Sequence, residues 1–153
     1  MATLQGQQID ANSRTINSNE AILLTSEWTF VLNETGDQAA HTLFTVTGDV
    51  LVSVWGICKT NIAGAGTMEV GVAGETNGLI AQIADATTLD AGEVWVDATP
   101  GFTQVIPSTF VVGAGKDIIL TIGTADLTAG VVDFYCTFRP LSAGADVTVT
   151  VPA

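Results

Sequence analysis

Apolar and polar residues alternate along this chain in short runs, each closed by Gly, Asn, Asp or Pro. A period of two places successive side chains on opposite faces of an extended strand. The most informative run is His41–Cys58, HTLFTVTGDVLVSVWGIC. Thr47-Gly48-Asp49 interrupts it with turn residues, which predicts two strands joined as a β-hairpin. In the second arm Val50, Val52, Val54 and Cys58 share one face, and Leu51, Trp55 and Ile57 share the other. A strand apolar on both faces is expected in the middle of a layered structure.

The flanking chain repeats the alternation in shorter pieces. Upstream, Ile22, Leu24, Trp28, Phe30 and Leu32 face one way, opposed by Thr25, Glu27 and Thr29. Downstream, Met68, Val70 and Val72 mark a strand, Leu79–Ile83 another, and Asp85–Gly92 a loop or single helical turn. Val94 and Val96 share a face, with Trp95 opposite them between Glu93 and Asp97. Phe102–Val112 is extended but broken by Pro107, which suits an edge strand or a bulge. Ile118, Leu120 and Ile122 form the next run, then Val132, Phe134, Cys136 and Phe138, then Val147, Val149 and Val151. About ten short strands, no helical periodicity and no fixed-period repeat predict an all-β fold, a jelly-roll-like β-sandwich or a barrel.

Residues 1–20, MATLQGQQIDANSRTINSNE, break the pattern: Leu4, Ile9 and Ile16 stand alone among amides and hydroxyls. So few apolar side chains do not build a core, which predicts an extended N-terminal arm that orders against a partner. Residues 21–153 are then a single β-domain, and Leu4, Ile9, Arg14 and Ile16 are the arm's candidate contacts.

Charge narrows the partners. Sixteen carboxylates against four cations give a net charge of −12. Such a surface repels phosphate backbones and anionic lipid, so neither nucleic acid nor a membrane is expected as a partner, and a basic patch would suit it. No apolar run approaches the roughly 20 residues that cross a bilayer. A basic start followed by an apolar segment is also missing, so no secretory leader is expected. Cys58 and Cys136 lack metal-ligand spacing and fall in apolar strands, as reduced core residues do; a disulfide between neighbouring strands is the alternative and needs an oxidising compartment.

Reactive chemistry is sparse. His41 is the sole histidine, and no Gly-x-Ser-x-Gly accompanies it. Asp85, Asp90, Glu93 and Asp97 form an acidic cluster that could in principle serve as a carboxylate pair or hold calcium. The ligand order of an EF-hand is absent, and solubilising charge explains the cluster more simply. Gly64-Ala-Gly66 and Gly113-Ala-Gly115 are followed by no helical pattern and read as strand connections. No catalytic, cofactor or metal site is expected, and the chain reads as a non-enzyme. Trp95, flanked by acids on its face, is the candidate for an exposed indole that contacts a partner or stacks on a sugar.

From Val46 to Pro100 the chain resembles small virion proteins of tailed bacteriophages. The resemblance lies in TVTGDVLVSVWGI and in MEVGVAGETNGLIAQIADATTLDAGEVWVDATP, a hairpin, a one-sided strand and a closing W-x-DATP. Such segments are similar to those of capsid decoration (cement) proteins. The resemblance implies a β-sandwich or jelly roll, assembled as a homotrimer on the capsid exterior of the virion, with a terminal arm reaching a neighbour or the major capsid protein. The alternative is a carbohydrate-binding β-sandwich module of a receptor-binding or adhesion structure, using Trp95 with Asp97 or Glu93.

Overall fold

Two antiparallel five-stranded sheets pack face to face around one apolar core. A computed structural model of the protein describes residues 7–9, 15–17, 21–106 and 109–152. In chain order the strands are β1 (Gln7–Ile9), β2 (Thr15–Asn17), β3 (Ile22–Thr29), β4 (Ala40–Thr47), β5 (Val50–Ala63) and β6 (Thr67–Val72). They continue as β7 (Glu75–Ile83), β8 (Val94–Trp95), β9 (Phe110–Val112), β10 (Ile118–Gly123), β11 (Ala129–Pro140) and β12 (Asp146–Val149). A short 3-10 turn, Ala86–Thr88, is the only helical element among the described residues. The first sheet runs β12-β4-β10-β6-β7; the second runs β3-β11-β5-β8, with β9 also on β5. The fold is therefore an all-β sandwich rather than a barrel.

β5 and β11 form the spine of the second sheet. Their register pairs Val52 with Phe138, Val54 with Cys136, Gly56 with Phe134 and Cys58 with Val132, all buried. Met68, Val70, Ile118, Leu120 and Phe44 of the first sheet face them across the core. A slip of one residue would turn every one of these side chains to the other face. Near the far end of β11 the register shifts, and Gly130 sits there at φ +123. A Cβ at Gly130 would lie 2.6 Å from Ile62 Cδ1, so the bulge needs glycine for space as well as for φ.

The expected hairpin at Thr47–Asp49 does not form. β4 belongs to the first sheet and β5 to the second, so the turn is a corner between sheets. Its residues are held by distant loops. Asp49 N–H donates to Ser142 Oγ (3.0 Å), and Asp49 Oδ1 accepts from the Ala114 N–H (2.9 Å). Gly115 N–H donates to Gly48 O (3.0 Å), Leu141 N–H to Asp49 O (2.9 Å), and Val46 N–H to Asp117 Oδ1 (2.9 Å). Those bonds replace a hairpin ladder, and Gly48 takes φ +69 to make the corner.

Most other strands fall where alternation predicts, with shorter ends. Of the described residues in the Phe102–Val112 run, only Phe110–Val112 pair, on an edge of β5. In β12 Val147 is buried while Val151, beyond it, is almost fully exposed. Leu32 lies past the end of β3 and is exposed.

Cys58 and Cys136 are free and buried. Burial pushes the Cys58 thiol up to about 11 and the Cys136 thiol up to about 12, from an ordinary value of 9.0. In the unfolded chain both ionise once pH passes 9.0, whereas the folded chain keeps their protons, so stability falls as pH rises through the window from 9.0 to about 12. Denaturant midpoints across that window are expected to fall more steeply for the wild type than for a Cys58→Ala, Cys136→Ala double variant. Equal slopes would refute the account.

Candidate functional site

The two outer faces of the sandwich differ sharply in chemistry. On the first sheet the outward positions are largely polar: Thr45 opposite Thr148, and Thr121 opposite Glu69. Glu69 also accepts from Gln82 Nε2 (3.0 Å). The second sheet presents Leu51, Trp55 and Ile57 from β5, Tyr135 and Val131 from β11, and Val111 from β9, all outside the core and partly or wholly exposed. Cross-strand register brings them together: Tyr135 lies opposite Trp55, Val111 opposite Leu51, and Val94 opposite Ile57. The Trp55 and Tyr135 rings stack at 5.6 Å between centroids, 9° from parallel.

The expectation that β5 is covered on both faces is thus half met. Val50, Val52, Val54 and Cys58 enter the core, while Leu51, Trp55 and Ile57 keep contact with solvent. No third layer covers them among the described residues. A recess of about 200 Å³ opens near one end of this face, lined by Ala21, Leu51, Thr137 and Arg139.

The face also carries charges of both signs. Lys59 Nζ lies 3.6 Å from Asp133 Oδ2, and Glu27 is opposite Asp133 in the ladder. Arg139 stands opposite Leu51.

Trp95 corrects the sequence reading. It is completely buried, so it offers neither a sugar platform nor a partner contact on the surface. β8 is only two residues long, too short for the alternation with Glu93 and Asp97 to be maintained. Its register sets Trp95 opposite Gly56, an inward position of β5, and cross-strand partners point to the same face. Gly56 has no side chain, which leaves room for the Trp95 indole to meet Phe134 edge-on, at 6.0 Å and 64°. The signal that could have placed Trp95 is the glycine opposite it, legible only once pairing is known.

The acids around Trp95 are engaged by their own turns. Asp85 Oδ1 accepts from the Thr87 N–H (3.0 Å) and hydroxyl (2.6 Å), and these bonds hold its carboxyl below the usual range. Glu93 Oε2 accepts from the Asp90 N–H (2.9 Å), and Asp90 Oδ1 from Asn61 Nδ2 (3.2 Å). Asp97 Oδ1 accepts from the Thr99 N–H (2.7 Å) and hydroxyl (2.8 Å). They stabilise the loop locally rather than converging on one point. No group of three or more His, Cys, Asp or Glu among the described residues is placed to hold a metal ion. His41 Nε2 donates to Asp37 O (3.0 Å) and its ring packs on Trp28, a structural role.

Of the arm's candidate contacts, Leu4 and Arg14 lie outside the described residues. Ile9 and Ile16 fall in β1 and β2, which pair with each other, Ile9 with Thr15 and Gln8 with Ile16. Among the described residues, that two-stranded sheet is joined by no ladder to either sheet of the sandwich.

A second cleft, of about 370 Å³, separates β7 from β9 and is lined in part by Glu75, Leu79, Phe110 and Lys116. Lys116 Nζ is already held by Ala73 O at 2.9 Å.

No protein-family model and no curated protein matches the chain. Among solved structures it is similar to a chain titled cyanophage Pam1 capsid asymmetric unit. The identity is 17% and the TM-score 0.38, over 78% of this chain and 85% of that one. A likeness this distant fixes neither fold nor role.

Replacing Trp95 with alanine empties the space over Gly56 and is expected to cost about 3–5 kcal/mol of stability, as large-to-small changes in cores do. Unfolding of Trp95→Ala followed by circular dichroism checks this. A variant as stable as the wild type would mean that the indole is not packed in the core.

Proposed function

We propose that this chain is a non-enzymatic structural protein of a tailed-phage virion. In this reading it binds the capsid exterior, contacts the major capsid protein and assembles as a homotrimer. The observation that carries the reading is the apolar outer face of the second sheet. A chain with a net charge of −12 that keeps Trp55, Tyr135, Leu51 and Val111 on one surface has a place for another protein there. The Val46–Pro100 resemblance supplies the kind of particle, and the polar first twenty residues supply an arm for a neighbour.

A protein of this kind needs no reactive groups. It stabilises a shell by binding the assembled form and not the dissociated subunits; at a free concentration 100 times its Kd the gain is about 2.7 kcal/mol per site. Contacts repeated over a lattice add through avidity. The acidic surface keeps the protein soluble and favours a capsid surface with basic patches.

Co-sedimentation with expanded heads built from the major capsid protein of the same virus tests the reading. The full chain is expected to sediment with heads. Deletion of residues 1–20 is expected to preserve the β-sheet circular dichroism and weaken binding at least tenfold. Full-strength binding by the truncated chain would remove the arm from the mechanism, and failure of the full chain to bind would remove the capsid.

A further inference from the structure

We infer that the outer face of the second sheet, around Trp55, Tyr135, Leu51, Ile57 and Val111, is the surface that a second copy of this chain covers. The inference rests on the self-association in the proposed function, but not on the capsid partner.

The first ground is where the side chains stand. Trp55 and Tyr135, rigid and amphipathic, lie at the middle of the face and already spend one ring surface each on the other. Ile57 and Ser53 flank Trp55 on β5, Asp133 and Thr137 flank Tyr135 on β11 with Thr25 opposite it on β3, and Leu51, Val111 and Arg139 stand towards one end. Tryptophan, tyrosine and arginine are the residues that dominate binding energy at protein interfaces, best when ringed by contacts that exclude water. Val111 is 67% exposed on the edge strand, although its neighbours on either side face the core or its margin.

Charge selects the occupant. With sixteen carboxylates and four cations, two copies repel over most of their surfaces. This face is the exception. It holds two of the four cations, Lys59 and Arg139, against the carboxylates of Asp133 and Glu27, so it is close to neutral. Another acidic copy can approach it without like-charge cost, and Arg139 can meet a carboxylate that the copy carries in excess. A basic partner, by contrast, would be drawn to the rest of the molecule. The threonine-lined face of the first sheet has no comparable apolar surface to bury.

Light scattering of the full chain over a dilution series, read against the 15.7 kDa chain mass, tests the inference. The wild type is expected to form a multi-chain species whose mass falls on dilution, with Trp55 fluorescence shifting to the red. Val111→Asp and Val111→Lys, at a position outside the core, are both expected to raise the concentration for half-dissociation at least tenfold. Thr148→Asp, on the outer face of the first sheet, is expected to leave it unchanged. Circular dichroism confirms that each variant is folded. A wild type that stays monomeric at every concentration overturns the inference, as do Val111 variants that associate as tightly as the wild type. Equal weakening by Thr148→Asp also overturns it, because general charge repulsion would then explain the result. A wild type that associates through this face but does not bind heads leaves the inference standing and removes only the capsid.

Discussion

The register of β5 against β11 is the constraint from which the rest of the sandwich follows. It stacks the inward residues of both strands over the first sheet, and it sets Gly56 opposite Phe134 on one side and Trp95 on the other. Two large rings meet at 6.0 Å because the residue between them has no side chain. The two-residue strand β8 pairs with β5, bridges to Gly101 through Val94, and is anchored in the core by the buried indole. The acidic loop from Asp85 to Asp97 is in turn positioned by that anchor, with Cys58 N–H bonded to Glu93 O and Gly92 N–H to Cys58 O.

The same register produces the outer surface. Because strand side chains alternate, locking Val52, Val54 and Cys58 inward obliges Leu51, Trp55 and Ile57 outward. An apolar outward face is therefore no by-product of a loose core. On β5 the sequence places Leu51, Trp55 and Ile57 at outward positions, beside Thr25, Thr29 and Thr137 from the neighbouring strands. The stacked pair of Trp55 and Tyr135 is the largest aromatic surface on that outer face.

Local alternation made the fold class legible, because a strand with one buried face writes its period directly into the sequence. Pairing was less legible. The Thr47–Asp49 segment has the composition of a hairpin, yet Ser142, Ala114, Leu141 and Asp117 hold it as a corner, from positions far along the chain. The two tryptophans are hard to place for a related reason: composition puts Trp55 in the interior, because both faces of its strand are apolar, and Trp95 on the surface, because its sequence neighbours are acids. Both inferences used composition where the deciding fact was a cross-strand partner: Tyr135 for one, Gly56 for the other.

Correcting those two tryptophans changes what the site can bind. A carbohydrate platform built on Trp95 requires an open ring face, and that ring lies wholly in the core. The acids proposed to accompany it, Glu93 and Asp97, each accept a backbone N–H bond in their own turns through one carboxylate oxygen. At Trp55 the aromatic surface is stacked on Tyr135, with Ser53 and Ile57 beside it on β5 and the Lys59–Asp133 ion pair next to Tyr135. Sugar binding needs polar groups aimed along the edge of a stacked ring; protein association needs a dry centre and a charged rim. Around Trp55 and Tyr135 the stacked rings supply the apolar part, and the Lys59–Asp133 pair, Arg139 and the hydroxyls of Thr25, Ser53 and Thr137 lie around it.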